Sequence, residues 1–214
     1  MISREFLKKM SDVNCQVRPI SSTGKDNDGA QGVHYTIATL VNDRAQYDDM
    51  VSSFERGGFN GSDCEFLIID NTGDTQTCAF KGLNAALGSA KGRYVILCHQ
   101  DVRLLDEGRP ELDDRLEKLE ALDPDWAVAG NAGGVKAGKV AIRISDPHGA
   151  DQLVGALPAR VVSVDENFII VKRNSRVGFS NDLSGFHLYG ADLCLNAQIM
   201  GWHAYVIDFH LAHL

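Results

Sequence analysis

Through the first half of the chain, short apolar, β-branched runs alternate with stretches of helical period. Tyr35–Val41, Cys64–Asp70 and Tyr94–Cys98 are apolar on both faces, as strands of a sheet covered on both sides must be. Residues 45–55 and 77–89 between them read as helices, so the order predicts an α/β unit built on a parallel sheet. Leu112, Leu116 and Leu119 share one helical face, with Pro110 suited to the first turn and Asp123-Pro124 as the stop. Residues 126–130, 139–144, 160–164 and 168–171 then read as short strands between glycine-rich turns, a mixed or antiparallel region. A helix over 190–200, with Gly201 placed to cap it, and a strand over 204–208 complete the pattern. A short helix over 3–11 and a Ser/Gly/Asp/Asn-rich linker over 21–32 precede this body.

Composition narrows the class. A chain of 214 residues with 44% hydrophobic and 23% charged positions fits one globular domain with a single sizeable core. Lys and Arg number 21 against 29 Asp and Glu, and a net charge of −8 argues against a protein that coats nucleic acid or an anionic membrane. The five cysteines, Cys15, Cys64, Cys78, Cys98 and Cys194, are scattered without a C-x-x-C pair and read as reduced thiols. The charged N-terminus lacks a signal-peptide run, and no stretch approaches the ~20 apolar residues of a membrane span. A cytoplasmic protein, or one peripheral at a membrane, is expected.

In open parallel sheets, ligands bind beyond the carboxyl ends of the strands. Three strands here end in polar groups: Asn42-Asp43-Arg44, Asp70-Asn71-Thr72-Gly73-Asp74 and His99-Gln100-Asp101. Acids so placed can meet a nucleobase, a ribose or a metal, and Asp70 and Asn71 serve equally well in a plain turn. Neither G-x-G-x-x-G after the first strand nor G-x-x-x-x-G-K-[ST] occurs, and Gly130, Gly133, Gly134 and Gly138 read as a hairpin turn. A bound diphosphate would therefore need another source of positive charge, for which a divalent cation is best suited.

Two blocks carry a family resemblance. Residues 65–75 with 84–102, running Asn84-Ala-Ala-Leu-Gly-Ser-Ala-Lys-Gly-Arg-Tyr-Val-Ile-Leu-Cys-His-Gln-Asp-Val102, resemble the nucleotide-binding half of family 2 glycosyltransferases, which have the GT-A fold. The second segment is closest to a subgroup with His-Gln-Asp in place of Asp-x-Asp. Phe186-His-Leu-Tyr-Gly-Ala-Asp-Leu-Cys-Leu-Asn-Ala-Gln-Ile-Met-Gly201 resembles their acceptor-side helix. The resemblance runs from Tyr35 to His213 and implies a single GT-A-like domain over 34–214, with a nucleotide-binding half over 34–102 and an acceptor half over 103–214, leaving little room for a further domain or anchor. Residues 1–33 form the preceding helix and linker.

The resemblance implies metal-dependent transfer of a sugar from a nucleotide-diphosphate sugar to a hydroxyl of a glycan or lipid-linked acceptor, with inversion, in glycan or polysaccharide assembly. Thr39, Asp70, Asn71, Asn84, Lys91, His99 and Gln100 would line the donor pocket. Asp101 would hold Mn²⁺ or Mg²⁺ together with His213 or His210, His213 at the spacing relatives favour. Asp192 would be the catalytic base, and His187 and Tyr189 would meet the acceptor. Two departures stand out: His99 and Gln100 replace the first part of Asp-x-Asp, and Ala191 replaces the acid that often precedes the base.

Other residues carry less. Asp165 and Glu166 form a carboxylate pair that suits either a sugar site or a solvated turn, and Lys172, Arg173 and Arg176 read as a solvated basic cluster. His34, His148 and His203 lack metal spacing, while Trp126 and Trp202 read as core. A nucleotidyltransferase is the alternative enzyme, although Val41-Asn-Asp-Arg44 lacks that class's glycine-rich basic loop. A non-catalytic nucleotide-sugar-binding protein is the alternative outside catalysis.

Overall fold

A computed structural model describes residues 15–18 and 32–214. The helix expected over 3–11 and most of the linker over 21–32 lie outside them. The first half runs β1 (Cys15–Arg18), β2 (Tyr35–Val41), α1 (Arg44–Arg56), β3 (Cys64–Asp70), α2 (Ala79–Ser89), β4 (Tyr94–Cys98), β5 (Val102–Leu104) and α3 (Arg109–Leu122). Six short strands follow: β6 (Trp126–Gly130), β7 (Ala132–Gly134), β8 (Val140–Asp146), β9 (Gly149–Val154), β10 (Ala159–Val161) and β11 (Ser163–Val164). β12 (Phe168–Lys172), α4 (Tyr189–Ile199), β13 (His203–Val206) and β14 (Leu211–His213) close the order.

An eight-stranded sheet of order β1-β3-β2-β4-β12-β6-β13-β10 forms the spine. β3, β2, β4, β6 and β13 point one way, and β1, β12 and β10 oppose them. This is the mostly parallel sheet with a mixed C-terminal part that the sequence pattern predicts. Alternate side chains go to opposite faces. Tyr35, Ile37, Phe66 and Ile96 pack with Met50, Phe54, Leu112 and Leu116 under α1 and α3. Ala38, Leu67, Val95 and Leu97 pack with Phe80, Leu83, Leu193 and Ala197 under α2 and α4. Among the described helices, none is long and apolar enough to cross a membrane.

A second, six-stranded sheet has the order β11-β7-β8-β14-β5, with β9 on β8. Here the sequence reading needs correction. Residues 160–164 are not one strand: Ala159–Val161 pairs with β13 and Ser163–Val164 with β7, so the chain changes sheets at Val162. The glycine cluster is not all turn either. Gly133 and Gly134 lie inside β7, where a Cβ on Gly133 would stand 2.3 Å from the Ser163 carbonyl oxygen. Glycine is needed there because two backbones approach closely.

Trp126 is fully buried at the start of β6. Its ring stacks on Tyr94 at 5.8 Å and its indole N–H donates to Glu120 at 2.8 Å, while Lys172 Nζ stands 5.4 Å from its ring. Trp126→Ala should lose about 3–5 kcal/mol of stability by opening a cavity in this layer, as read by urea unfolding with an unchanged m-value.

Candidate active site

The loops at the carboxyl ends of β2, β3 and β4 meet the entry to α4 around a cleft of about 300 Å³. That volume is at the lower end of small-ligand pockets. Leu40, Asn42 and Asn71 line one side, His99, Gln100 and Asp101 the floor, and Phe186 and Tyr189 the other side. No Lys or Arg is among these lining residues. A second cleft of about 390 Å³ beside β10 and β13 is lined by Arg160, Cys194 and Trp202 and contains no carboxylate.

The floor is built by strand pairing. β14 lies antiparallel to β5 with His213 opposite Val102, and the Leu214 N–H donates to the Asp101 carbonyl at 3.1 Å. His213 therefore comes to rest beside Asp101, its Nε2 standing 3.4 Å from Asp101 Oδ1 and 3.4 Å from His99 Nδ1. Donor atoms of His99, Asp101 and His213 all fall within 4.8 Å of one another. Asp101 Oδ1 is buried and has no directed hydrogen bond. Two imidazole nitrogens and an orphaned carboxylate oxygen converging in this way fit a divalent cation.

Charge is arranged to match. Burial lowers the pKa of His99 and outweighs the pull of Asp101, which keeps the imidazole neutral and able to ligate. Asp101 raises the pKa of His213 against a smaller effect of burial. Burial pushes Asp101 upward, but His213 and His99 together bring it below the ordinary carboxylate value.

Several expected site residues have other duties. Both oxygens of Asp192 are engaged, accepting from Ser180 N at 2.8 Å and Ser180 Oγ at 2.6 Å, and the carboxylate does not line the cleft. Asn84 grips the backbone of Phe179, donating to its carbonyl and accepting from its N–H, each at 2.9 Å. Lys91 precedes β4, at the opposite end of the sheet from the cleft, with its N–H on Glu65. His210 points away from Asp101, its Nε2 2.9 Å from Ser145 Oγ and its Nδ1 3.7 Å from Asp151. Thr39 is fully buried in β2, and its neighbours Leu40 and Asn42 line the cleft instead. Tyr189 is only 3% exposed and its hydroxyl is held within the protein, which removes it from acceptor contact.

The rest remain at the cleft. Gln100 clamps the turn after β2, accepting from Asn42 N and Asp43 N at 3.0 Å each, while Arg103 donates to the Gln100 and Val102 carbonyls. Asn71 bridges to both the N–H and the carbonyl of Thr77 at 2.9 Å and shapes the loop before α2. Asp70 accepts from Thr72 and pairs with Arg44 at 2.5 Å. His187 is exposed on the loop into α4.

Glu166 is the residue that sequence reasoning left undecided. Its Oε1 accepts the Gly190 N–H at 3.2 Å at the start of α4. A Cβ on Gly190 would stand 3.3 Å from Glu166 Cγ and 2.3 Å from the Val164 carbonyl oxygen, so glycine at 190 leaves the room Glu166 occupies. Burial raises its pKa, partly offset by the N–H groups of Gly190 and Tyr189. Among the described residues it makes no ion pair.

Comparison with known proteins places this fold. No protein-family model matches the chain. GalNAc-T7, solved with UDP, GalNAc and Mn²⁺, superposes with a TM-score of 0.58 at 8% identity, over 86% of this chain and 44% of that one. TarS 1–349 of S. aureus, solved in complex with UDP-GlcNAc, gives 0.56 at 12% identity, over 84% of this chain and 58% of its own. Both are GT-A folds, and at these identities the likeness establishes the fold alone. In sequence, the chain is 42% identical over 203 residues to the protein named ATP synthase subunits region ORF 6 of Fuscovulum blasticum, across 92% of this chain and 81% of that one. The chain belongs to the family of that Fuscovulum blasticum protein, and its fold is the GT-A-like α/β domain.

Proposed function

We propose that this protein is a metal-dependent glycosyltransferase that moves a sugar from a nucleotide-diphosphate sugar to an acceptor hydroxyl, with inversion, in glycan or polysaccharide assembly. One observation carries the reading: the cleft at the strand ends has no Lys or Arg in its lining, yet its floor gathers His99, Asp101 and His213 within ligating distance of one another. An anionic donor cannot be held there without added positive charge. A divalent cation, when bound, neutralises the diphosphate and stabilises it as a leaving group. Two imidazoles in the donor set favour a first-row ion such as Mn²⁺ over Mg²⁺, which prefers oxygen ligands.

The chain's own groups divide the remaining work. Asp70 and Asn71 shape the nucleoside end of the cleft through the loop they brace. Cleavage of the donor bond develops positive charge at the anomeric carbon, and a carboxylate on the far side must take the acceptor proton as it attacks. Glu166 suits that task better than Asp192. It stands half-buried beside Tyr189 without a counter-ion, whereas Asp192 is held by Ser180. His187 stays a candidate acceptor contact. Phe186 and Leu188, 47% and 76% exposed, put apolar surface nearby, which suits a sugar face or a lipid carrier.

Thermal-shift measurement with UDP, GDP, dTDP and CMP sugars tests this. One diphosphate series should raise Tm by about 5–10 °C at a hundredfold excess over Kd with Mn²⁺, less with Mg²⁺, and not at all with chelator. No response to any donor, or a response indifferent to metal, contradicts the proposal.

A further inference from the structure

We infer that Tyr189 is a positioning residue for the metal centre: its hydroxyl holds His99 in the Nε2–H tautomer, so that Nδ1 presents a lone pair to the cation. The inference rests on the metal-site reading above and adds the device that makes a histidine serve where a carboxylate would otherwise stand.

The argument is one of proton counting. Tyr189 Oη lies 2.7 Å from His99 Nε2 and 3.2 Å from the Glu166 carbonyl oxygen. A carbonyl only accepts, so the single phenolic proton goes to Glu166 and the phenolic oxygen accepts from His99 Nε2–H. Nδ1 is then unprotonated, and it is the nitrogen that faces His213 Nε2. The opposite tautomer would set the Glu166 carbonyl against an acceptor and point a proton into the place of the metal.

Little else can take the hydroxyl's part. Tyr189 is 3% exposed, and its ring is fixed edge-on by Phe80 and Phe179 at 6.4 and 5.9 Å, which keeps water from substituting freely. The His99 N–H is tied to the Asn167 carbonyl at 2.9 Å, so the imidazole swings from an anchored backbone. Leu188 turns the chain inward at φ +67°, a left-handed conformation uncommon for a non-glycine residue, immediately before Tyr189. Glu166 is touched twice from this turn, by Tyr189 at its carbonyl and by Gly190 at its carboxylate, so one turn orients both the metal ligand and the proposed base.

Two measurements on the full chain test this. In metal-free wild type, long-range ¹H–¹⁵N spectra of the imidazoles should read His99 as Nε2–H. In titrations with Mn²⁺ alone, Tyr189→Phe, which keeps the packed ring, should bind about 10–100-fold more weakly at unchanged Tm, with altered Co²⁺ absorption. A His99 that reads Nδ1–H in wild type overturns the inference. A Tyr189→Phe protein that binds Mn²⁺ within twofold of wild type also overturns it and leaves the metal site standing. A wild type that binds no Mn²⁺ removes the metal site and the inference together.

Discussion

Replacing Asp101 by Asn lowers sugar transfer by about 10³-fold or more, because it removes the one carboxylate of the floor and with it most of the charge that holds a cation under the diphosphate. The fold should tolerate the change. Asn has the shape of Asp, the Asp101 carbonyl that receives the Leu214 N–H is untouched, and Oδ1 has no directed hydrogen bond to lose. The expected signature is a lost Mn²⁺ titration and lost donor binding at a Tm near that of wild type. His210→Asn serves as the comparison. Its ring belongs to Ser145 and Asp151, so the Mn²⁺ titration should be unmoved.

Glu166→Gln is the second large effect, a fall of about 10²–10⁴-fold in kcat with donor and Mn²⁺ affinity retained, as loss of a general base requires. The glutamine can still accept the Gly190 N–H, so the turn into α4 should persist. In wild type, the rate should fall with acid through a pKa above the ordinary glutamate value, since burial raises this carboxyl and only its ionised form accepts a proton. Asp165 on its own turn and His187 and Tyr189 at the entry to α4 are the groups that face it. The acid limb should disappear in Glu166→Gln. Asp192→Asn should behave differently: the contacts to Ser180 weaken and Tm drops, while the protein that remains folded keeps most of its kcat. A Glu166→Gln protein with near wild-type kcat, measured at saturating donor, would return the base to another residue.

The fold was most legible where strands are buried on both faces. β2, β3, β4 and β6 begin and end where their apolar runs do, because the cost of leaving such runs in solvent fixes their limits. The three-residue strands β5, β7 and β14 were not legible, since pairing partners define them and three residues carry no period. This limit reaches the site. His213 and His210 are indistinguishable by type, and only the pairing of β14 with β5 brings one of them beside Asp101. The strand-end acids were readable from the order of elements, but the engagement of Asp192 by Ser180, of Asn84 by Phe179 and of Tyr189 by His99 joins residues 12 to 95 positions apart. The exchange of a side chain at 190 for the carboxylate of Glu166 had a faint signal in Gly190, a glycine beginning an otherwise ordinary helix.

Anomeric-proton NMR of the nucleotide-sugar panel, followed over time with the full chain and Mn²⁺, tests the central claim most directly. The account predicts that one diphosphate donor releases its sugar, to a supplied acceptor with inverted configuration or slowly to water, and that chelator or Asp101→Asn stops the loss. A donor that binds with Mn²⁺ yet stays intact through the longest incubation, with acceptor glycans present, would contradict catalysis and leave a protein that only binds nucleotide sugars.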